Sequence, residues 1–264
     1  MDYKHIIFSV EGAVARLTFN RPDKLNSFTD EMHAEIRDAL DQIQSGTTAR
    51  VLVITGAGRS FSAGQDLADP PMAIMNGKVP DIGNVVERNY KPLIMRLANL
   101  RMPTIAAVNG IAAGAGASIA LACDLVIAGK SAAFMQAFSK IGLIPDTGGT
   151  WVLPQRVGMA RAMGLAFLAD KLPAEKAEAW GLIWRCVEDA ELASAVDGLA
   201  AQLSEMPTKA LVRIRQAMQA APTHSLEQQL SMEAGFMREL GWSPDYAEGV
   251  AAFMEKRAPQ FSGK

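Results

Sequence analysis

Asp146 is an acid set among apolar residues: Ile141-Gly142-Leu143-Ile144-Pro145 precede it and Thr147-Gly148-Gly149-Thr150-Trp151 follow. Removing a carboxylate from water disfavours its charged form and moves its proton affinity toward neutral pH, which suits a general acid-base group. An Asp between Pro and Thr-Gly-Gly is more commonly a turn residue or helix N-cap, its carboxylate bonded to backbone N–H groups. On this stretch alone both roles stay open.

Two turns upstream offer a second kind of chemistry. The apolar run Val51-Leu52-Val53-Ile54-Thr55 leads to Ala63-Gly64-Gln65-Asp66-Leu67, and Ile105-Ala106-Ala107-Val108 leads through Asn109-Gly110 to Gly114-Ala115-Gly116-Ala117-Ser118. Small residues let a ligand approach the backbone closely, and N–H groups at a helix start can receive developing negative charge. Tight packing of helix on sheet would call for the same glycines. Gly56-Ala57-Gly58 is not a phosphate loop, because Phe61 stands where a dinucleotide fingerprint needs its third glycine and no Gly-Lys-Ser/Thr follows.

Other chemistries find little support. His5, His33 and His224 are scattered without ligand spacing, and Cys123 and Cys186 form no metal or redox pair. His33, one residue past apolar Met32, reads as a surface or boundary histidine. There is no G-x-S-x-G elbow, and Ser118 has no identifiable histidine partner. With 26 Lys plus Arg against 28 Asp plus Glu and 6% aromatics, the chain has neither the basic field nor the stacking residues of a nucleic-acid binder. The stretch from Thr104 to Cys123 is long and uncharged, but its Ala/Gly content and the Asn109-Gly110 break fit a strand, a turn and a buried helix better than a membrane span. The start has acids and no apolar core, unlike a signal peptide, so the cytoplasm is the expected location.

These residues need a scaffold, and 264 residues, 49% of them hydrophobic and 20% charged, suffice for a large globular core. Residues 4–10 and 13–20 alternate around Glu11-Gly12 as a hairpin. From Thr29 to Gln44, Met32, Ile36, Leu40 and Ile43 keep helical spacing, with Asp30 and Glu31 in the first turn. The runs at 51–55, 105–108 and 125–128 read as strands buried on both faces. A Pro/Gly-containing segment of about twenty residues after Leu67 reads as a functional lid or mobile loop. Helical spacing resumes over 85–100 with Val86, Leu93 and Leu97, and a helix is expected from Ala113 to Ala122. After Trp151 the pattern is mostly helical: 158–168, 173–180, 189–205, 207–220, 224–240 and 244–255, with Pro207, Pro222 and Pro244 at helix starts.

In that order, the parts resemble the crotonase, or enoyl-CoA hydratase/isomerase, superfamily over the whole chain. The match is carried by Arg21-Pro22 with Leu25-Asn26-Ser27, by Ser62 to Leu67, by Asn109-Gly110 to Ser118, by Cys123-Asp124, and by Gly142 to Asp146 with Gly148-Gly149-Thr150. Within the superfamily the chain looks most like the isomerases of bacterial phenylacetate breakdown that convert ring-1,2-epoxyphenylacetyl-CoA to an oxepin. Leu25 to Ile36, Ala137 to Trp151, Ala160 to Phe167 and the tail from Ser243 carry that likeness.

The resemblance implies an α/β fold of the ClpP/crotonase kind. It would have a ββα spiral core over residues 1–200 and a helical trimerisation region over 201–264, packed on a neighbouring subunit of a trimer or hexamer. It implies an isomerase that needs no cofactor, coenzyme A being part of its acyl-CoA thioester substrate, and that could join other enzymes of phenylacetate breakdown. The backbone N–H groups of Gln65 and Ala115 would hold the thioester oxygen as an enolate forms, alanine standing where glycine is more usual. Lys24, Leu25, Ala63, Gly64, Asp66, Leu67, Gly114, Phe138 and Trp151 would surround the substrate. Phe138 and Trp151, with Met135 and Ile144, would wall an aromatic acyl group or simply be core. The two glutamates of family hydratases fall at Ser118 and Phe138, and Asp146 falls where isomerases and dehalogenases place an aspartate. Asp146 would thus shuttle a proton. The alternatives are a general 3,2-enoyl-CoA isomerase, a dehalogenase or hydrolase with a nucleophilic Asp146, and a non-catalytic acyl-CoA-binding subunit.

Overall fold

The computed structural model describes residues 3–72 and 79–264. Strands β1 (Ile6–Glu11) and β2 (Val14–Phe19) make the expected antiparallel hairpin, and α1 (Asp30–Gly46) carries the chain to β3 (Val51–Gly56), parallel to β2. A repeating pattern follows, in which a long strand hands over to a short one and then to helix. β3 passes to β4 (Ser60–Ser62), and α2 (Ile82–Val85), a π turn over 86–90 and α3 (Lys91–Ala98) return the chain. β5 (Thr104–Val108) passes to β6 (Ile111–Ala113) and α4 (Ala115–Ala122), and β7 (Leu125–Gly129) to β8 (Ala133–Met135). Then come α5 (Gly149–Val157), α6 (Met159–Leu168), β9 (Leu172–Pro173), α7 (Ala174–Ala179), β10 (Arg185–Val187) and α8 (Leu192–Glu205). The chain ends with α9 (Thr208–Ala220), α10 (Leu226–Gly241) and α11 (Pro244–Glu255).

The long strands form one sheet in the order β1-β2-β3-β5-β7-β10, parallel from β2 onward, and the short ones a second sheet, β4-β6-β8-β9. Burial on both faces explains why β3, β5 and β7 read as unbroken apolar runs. Leu52, Ile54, Ala106 and Val108 face the main core, while Val51, Val53, Ile105 and Ala107 face α8 through Leu192, Val196 and Leu203. Burying each of these large α8 side chains contributes about 1.5–3 kcal/mol. The division expected at residue 200 therefore falls inside a core helix, and the terminal helical segment begins with α9.

The structure departs from the sequence reading at several points. The second sheet was not foreseen, and residues 111–113 are strand rather than the start of the 113–122 helix. A nine-residue helix, α5, opens at Gly149, ahead of the helical run read after Trp151. The lid expected after Leu67 lies partly outside the described residues, at 73–78. His33 is buried, not at the surface: α1 buries a broad stripe from Met32 and His33 to Ile43, and the imidazole stacks on Phe28 at 5.4 Å and meets Tyr90 edge-on at 4.5 Å. Burial, with Arg37 nearby, pulls its pKa down to about 3, so the ring is neutral.

Candidate active site

The second sheet fixes the site. Strands β4, β6 and β8 are parallel neighbours, so their C-terminal ends bring Ala63-Gly64-Gln65, Gly114-Ala115 and Ala137-Phe138 together. These residues, with Leu67, Tyr90 and Asp146, line a cavity of about 230 Å³. The turn after β4 is held from outside: Phe28 N–H donates to the Gly64 carbonyl at 2.8 Å and Asp66 N–H to the Phe28 carbonyl at 2.9 Å. The Gln65 N–H between them is turned the other way. Ala115 opens α4, where a helix leaves its first N–H groups unpaired. Among the described residues neither N–H has a protein acceptor.

Two glycines make this approach feasible. Gly64 (φ +92°) and Gly114 (φ +52°) hold conformations that L side chains rarely adopt, and a Cβ on Gly64 would sit 2.9 Å from the Ala113 carbonyl oxygen. A Cβ on Gly114 would meet the Phe138 ring at an ordinary 3.7 Å, so it is the positive φ that calls for glycine there.

Asp146 reaches the cavity from a strained turn. Thr147, β-branched and buried, has φ +55°, a conformation that costs roughly 1–3 kcal/mol. Its hydroxyl donates to Asp146 Oδ1 at 2.7 Å. The helix-cap reading of the Asp146 carboxylate is corrected here. Gly148 is the cap residue of α5 and offers no side chain, and it is the Asp146 backbone carbonyl that accepts from Gly149 N–H, at 2.8 Å. Among the described residues the carboxylate has no cation within ion-pair distance and is the only carboxylate lining the cavity. Burial raises its pKa above the ordinary Asp value, against the weaker pull of the Thr147 hydroxyl and its own N–H.

Ala63, Gly64, Gln65, Leu67, Gly114, Ala115, Phe138 and Asp146 thus share one cavity, whereas Lys24, Leu25, Asp66 and Trp151 do not line it. Burial pushes the Asp66 carboxyl up, but the Ala68 N–H and the Arg21 guanidinium, 3.0 Å away, outweigh it and hold the carboxylate ionised and facing away from the cavity. Leu25 contributes its carbonyl to Ala63 N–H, and Lys24 is exposed on the same buttressing loop. Trp151 is half exposed on α5 and lines a separate cavity of about 720 Å³ with Ile94, Ser118, Leu121 and Met218. That larger space holds neither unpaired N–H of the two turns nor the Asp146 carboxylate, so its size does not make it the reaction site. Met135 and Ile144 do not line the smaller cavity, and Ile144 is exposed.

Sequence reasoning missed several lining residues, among them Met72, Ile82, Lys140 and Leu143, and the buried one that carries a polar group is Tyr90. It is 2% exposed, and its hydroxyl donates to Gln65 Oε1. Burial first, and the negative Asp146 next, keep the phenol protonated far above its usual range. Helical periodicity pointed to Val86, Leu93 and Leu97; Tyr90, four residues past Val86 on that same face, was passed over.

The chain matches the enoyl-CoA hydratase/isomerase family over residues 9–264. It is 53% identical, over 98% of both chains, to a protein of Escherichia coli (strain K12) named 1,2-epoxyphenylacetyl-CoA isomerase. It is 44% identical, over the full length of both, to a probable enoyl-CoA hydratase of Rhodobacter capsulatus. Among solved structures, an enoyl-CoA hydratase subunit of Geobacillus kaustophilus superposes with a TM-score of 0.90 at 35% identity over all of both chains.

Proposed function

The chain belongs to the enoyl-CoA hydratase/isomerase family, with the crotonase fold, and from that premise we propose that it isomerises ring-1,2-epoxyphenylacetyl-CoA to its oxepin isomer. The observation that carries this reading is a cavity lined, among the described residues, by one carboxylate without an ion-pair partner and by two backbone N–H groups without protein acceptors. The thioester oxygen sits between Gln65 N–H and Ala115 N–H. Asp146 takes a proton from the carbon between thioester and ring, and the electron pair moves into the thioester as an enolate. Two preorganised donors aimed at that oxygen each contribute roughly 3 kcal/mol to the barrier reduction. The C–C bond that the epoxide shares with the ring breaks, so that the oxygen is taken into a seven-membered ring, the electrons spread through the ring diene, and the Asp146 carboxyl returns the proton at a remote ring carbon. No atom is gained or lost, so one acid suffices.

Water addition is disfavoured by the residues at the hydratase positions. Phe138 is an apolar wall, and Ser118 donates its hydroxyl to the Asp146 backbone carbonyl at 3.2 Å and lines the other cavity. The 53% identity to the protein named as this isomerase supports the ring epoxide as substrate. Lys24, exposed on the loop beside the Ala63–Gln65 turn, is the proposed contact for the CoA moiety. A homotrimer, single or paired, is part of the same proposal, since Trp184, Trp242 and Phe253 are exposed on the single chain.

Product analysis tests the reading. Given ring-1,2-epoxyphenylacetyl-CoA and, separately, 3-hexenoyl-CoA, the protein should form the oxepin thioester with the higher kcat/KM. Turnover of the linear thioester alone would make it a general 3,2-enoyl-CoA isomerase. An acyl adduct on Asp146, seen by intact mass after quenching, would make it a hydrolase or dehalogenase.

A further inference from the structure

The Tyr90–Gln65 hydrogen bond has no task in holding the Gln65 peptide. That peptide is already clamped on both sides by the Phe28 bonds to Gly64 and Asp66. The pair instead places a hydroxyl and an amide on the wall of a cavity whose lining is otherwise mostly apolar, with Ile82, Val85, Val86, Phe138 and Leu143, and whose charged members are Asp146 and the exposed Lys140. Burying a phenol and an amide in apolar surroundings is costly unless they bond to each other or to a ligand.

The fold also goes to some length to put Tyr90 there. Tyr90 ends a π turn over Val86–Tyr90 and shares the cavity wall with Val86, four residues earlier. The turn is pinned from behind by buried Asn89, which donates to Asp30 Oδ1 at 2.6 Å and accepts from Arg37 at 3.1 Å. π turns inside helices are frequent at functional sites.

We propose that the Tyr90 hydroxyl and the Gln65 carboxamide form a hydrogen-bonding subsite for an oxygen atom carried by the acyl group, selecting oxygen-bearing ring acyl thioesters over plain hydrocarbon ones. In the free protein the two groups satisfy each other. When such an acyl group enters, the hydroxyl turns to the ligand oxygen, and the Gln65 amide, whose Nε2 now makes only a long 3.3 Å bond to the Asp66 carbonyl, is available as a second donor. A site built to bond an oxygen discriminates strongly against ligands that lack it, because its own polar groups then stay unpaired or are wasted on each other. Tyr90 is on this account a specificity-determining residue and takes no part in moving the proton. The inference deepens the proposed function and rests on it for the location of the acyl group.

Binding of two unreactive thioesters, 2-hydroxyphenylacetyl-CoA and phenylacetyl-CoA, to the full chain and to Tyr90→Phe tests it by calorimetry, alongside kcat/KM for the ring epoxide and for 3-hexenoyl-CoA. The wild type should bind the hydroxylated ligand about tenfold tighter or more, the scale of one buried hydrogen bond to a ligand. Tyr90→Phe should erase that preference and lower kcat/KM for the ring epoxide by a similar factor, leaving 3-hexenoyl-CoA turnover and phenylacetyl-CoA binding unchanged. Equal losses on both members of each pair would show a merely structural tyrosine and overturn the inference, as would a preference that survives in Tyr90→Phe. If the wild type makes no oxepin yet shows the binding preference, the proposed reaction fails and the subsite stands.

Discussion

Asp124 and Asp146 both sit next to α4, yet the fold treats them in opposite ways. Asp124 Oδ2 accepts from the Thr104 N–H at 2.8 Å, from the Thr104 hydroxyl at 3.0 Å and from Arg215 at 2.9 Å. Arg215, buried, also donates to the Leu100 and Met102 carbonyls, so this carboxylate latches α9 onto the strand that follows. Asp146 has one hydroxyl, its own N–H and, among the described residues, no cation within ion-pair distance. A carboxylate held by donors and a guanidinium acts as a structural tie. One left desolvated and unpaired costs stability and is poised to exchange a proton.

Substituting the unpaired acid should give the largest effect and the clearest separation of activity from stability. Asp146→Asn should lower kcat by a factor on the order of 10⁴, the upper range for a positioned proton carrier, while CoA-thioester binding stays measurable. Because the folded pKa of Asp146 is raised, the native state holds its proton more tightly than the unfolded chain, and ionising it at neutral pH works against folding. Asp146→Asn should therefore unfold at a urea concentration equal to or above wild type at pH 7. That gain should vanish once the pH falls below the unfolded pKa. The kcat/KM of the wild type should fall on the acid side at a pH above the ordinary Asp range. Retained turnover in Asp146→Asn would end the assignment.

The paired acid should behave in reverse. Asp124→Asn leaves the buried Arg215 guanidinium without its counter-charge and should cost about 3 kcal/mol in urea unfolding, the usual scale for half of a buried pair. The specific activity of the folded fraction should be unchanged. An activity loss that outlasts full folding would mean that the latch also shapes the cavity, and the contrast between the two acids would collapse.

How far the sequence revealed these two acids differs as well. The unbroken apolar runs of β3, β5 and β7 announced the large sheet, and the Gly/Ala turns and Asp146 were visible as residue types in sequence order. The second sheet, which aligns those turns, was hidden: its strands are two to three residues long, and runs such as Ser60-Phe61-Ser62 or Ile111-Ala112-Ala113 carry no periodicity to read. Tyr90 sits on the face that Val86, Leu93 and Leu97 mark, but its bond to Gln65, 25 residues earlier, exists only in the packed fold. Asp124 was noticed as part of a motif, but its partner Arg215 lies 91 residues on, and only the packed fold pairs them. His33 was misplaced because α1 buries a stripe wide enough to include the residue next to Met32.

That misplaced histidine supplies the smallest and most selective test of the contrast, because it is a third way of handling a buried titratable group: kept neutral, with Nε2 unpartnered. Its folded pKa of about 3 lies below the unfolded value of 6.5. Above pH 6.5 both states are neutral and the residue's packing against Phe28 and Tyr90 counts in full. As the pH falls below 6.5 the unfolded chain takes up a proton that the native state refuses, and stability drops by about 1.4 kcal/mol per pH unit from this group until the native ring is forced to ionise. Between pH 6.5 and 4.5 that amounts to roughly 2–3 kcal/mol. His33→Phe keeps a flat ring between its aromatic neighbours and forfeits no hydrogen bond made by Nε2. It should therefore unfold with a pH slope shallower by one proton over that window and match wild type more closely at pH 7. Identical slopes would mean that the ring protonates in place, and His33 would then have to find a partner near Asp30, the nearest negative charge acting on it.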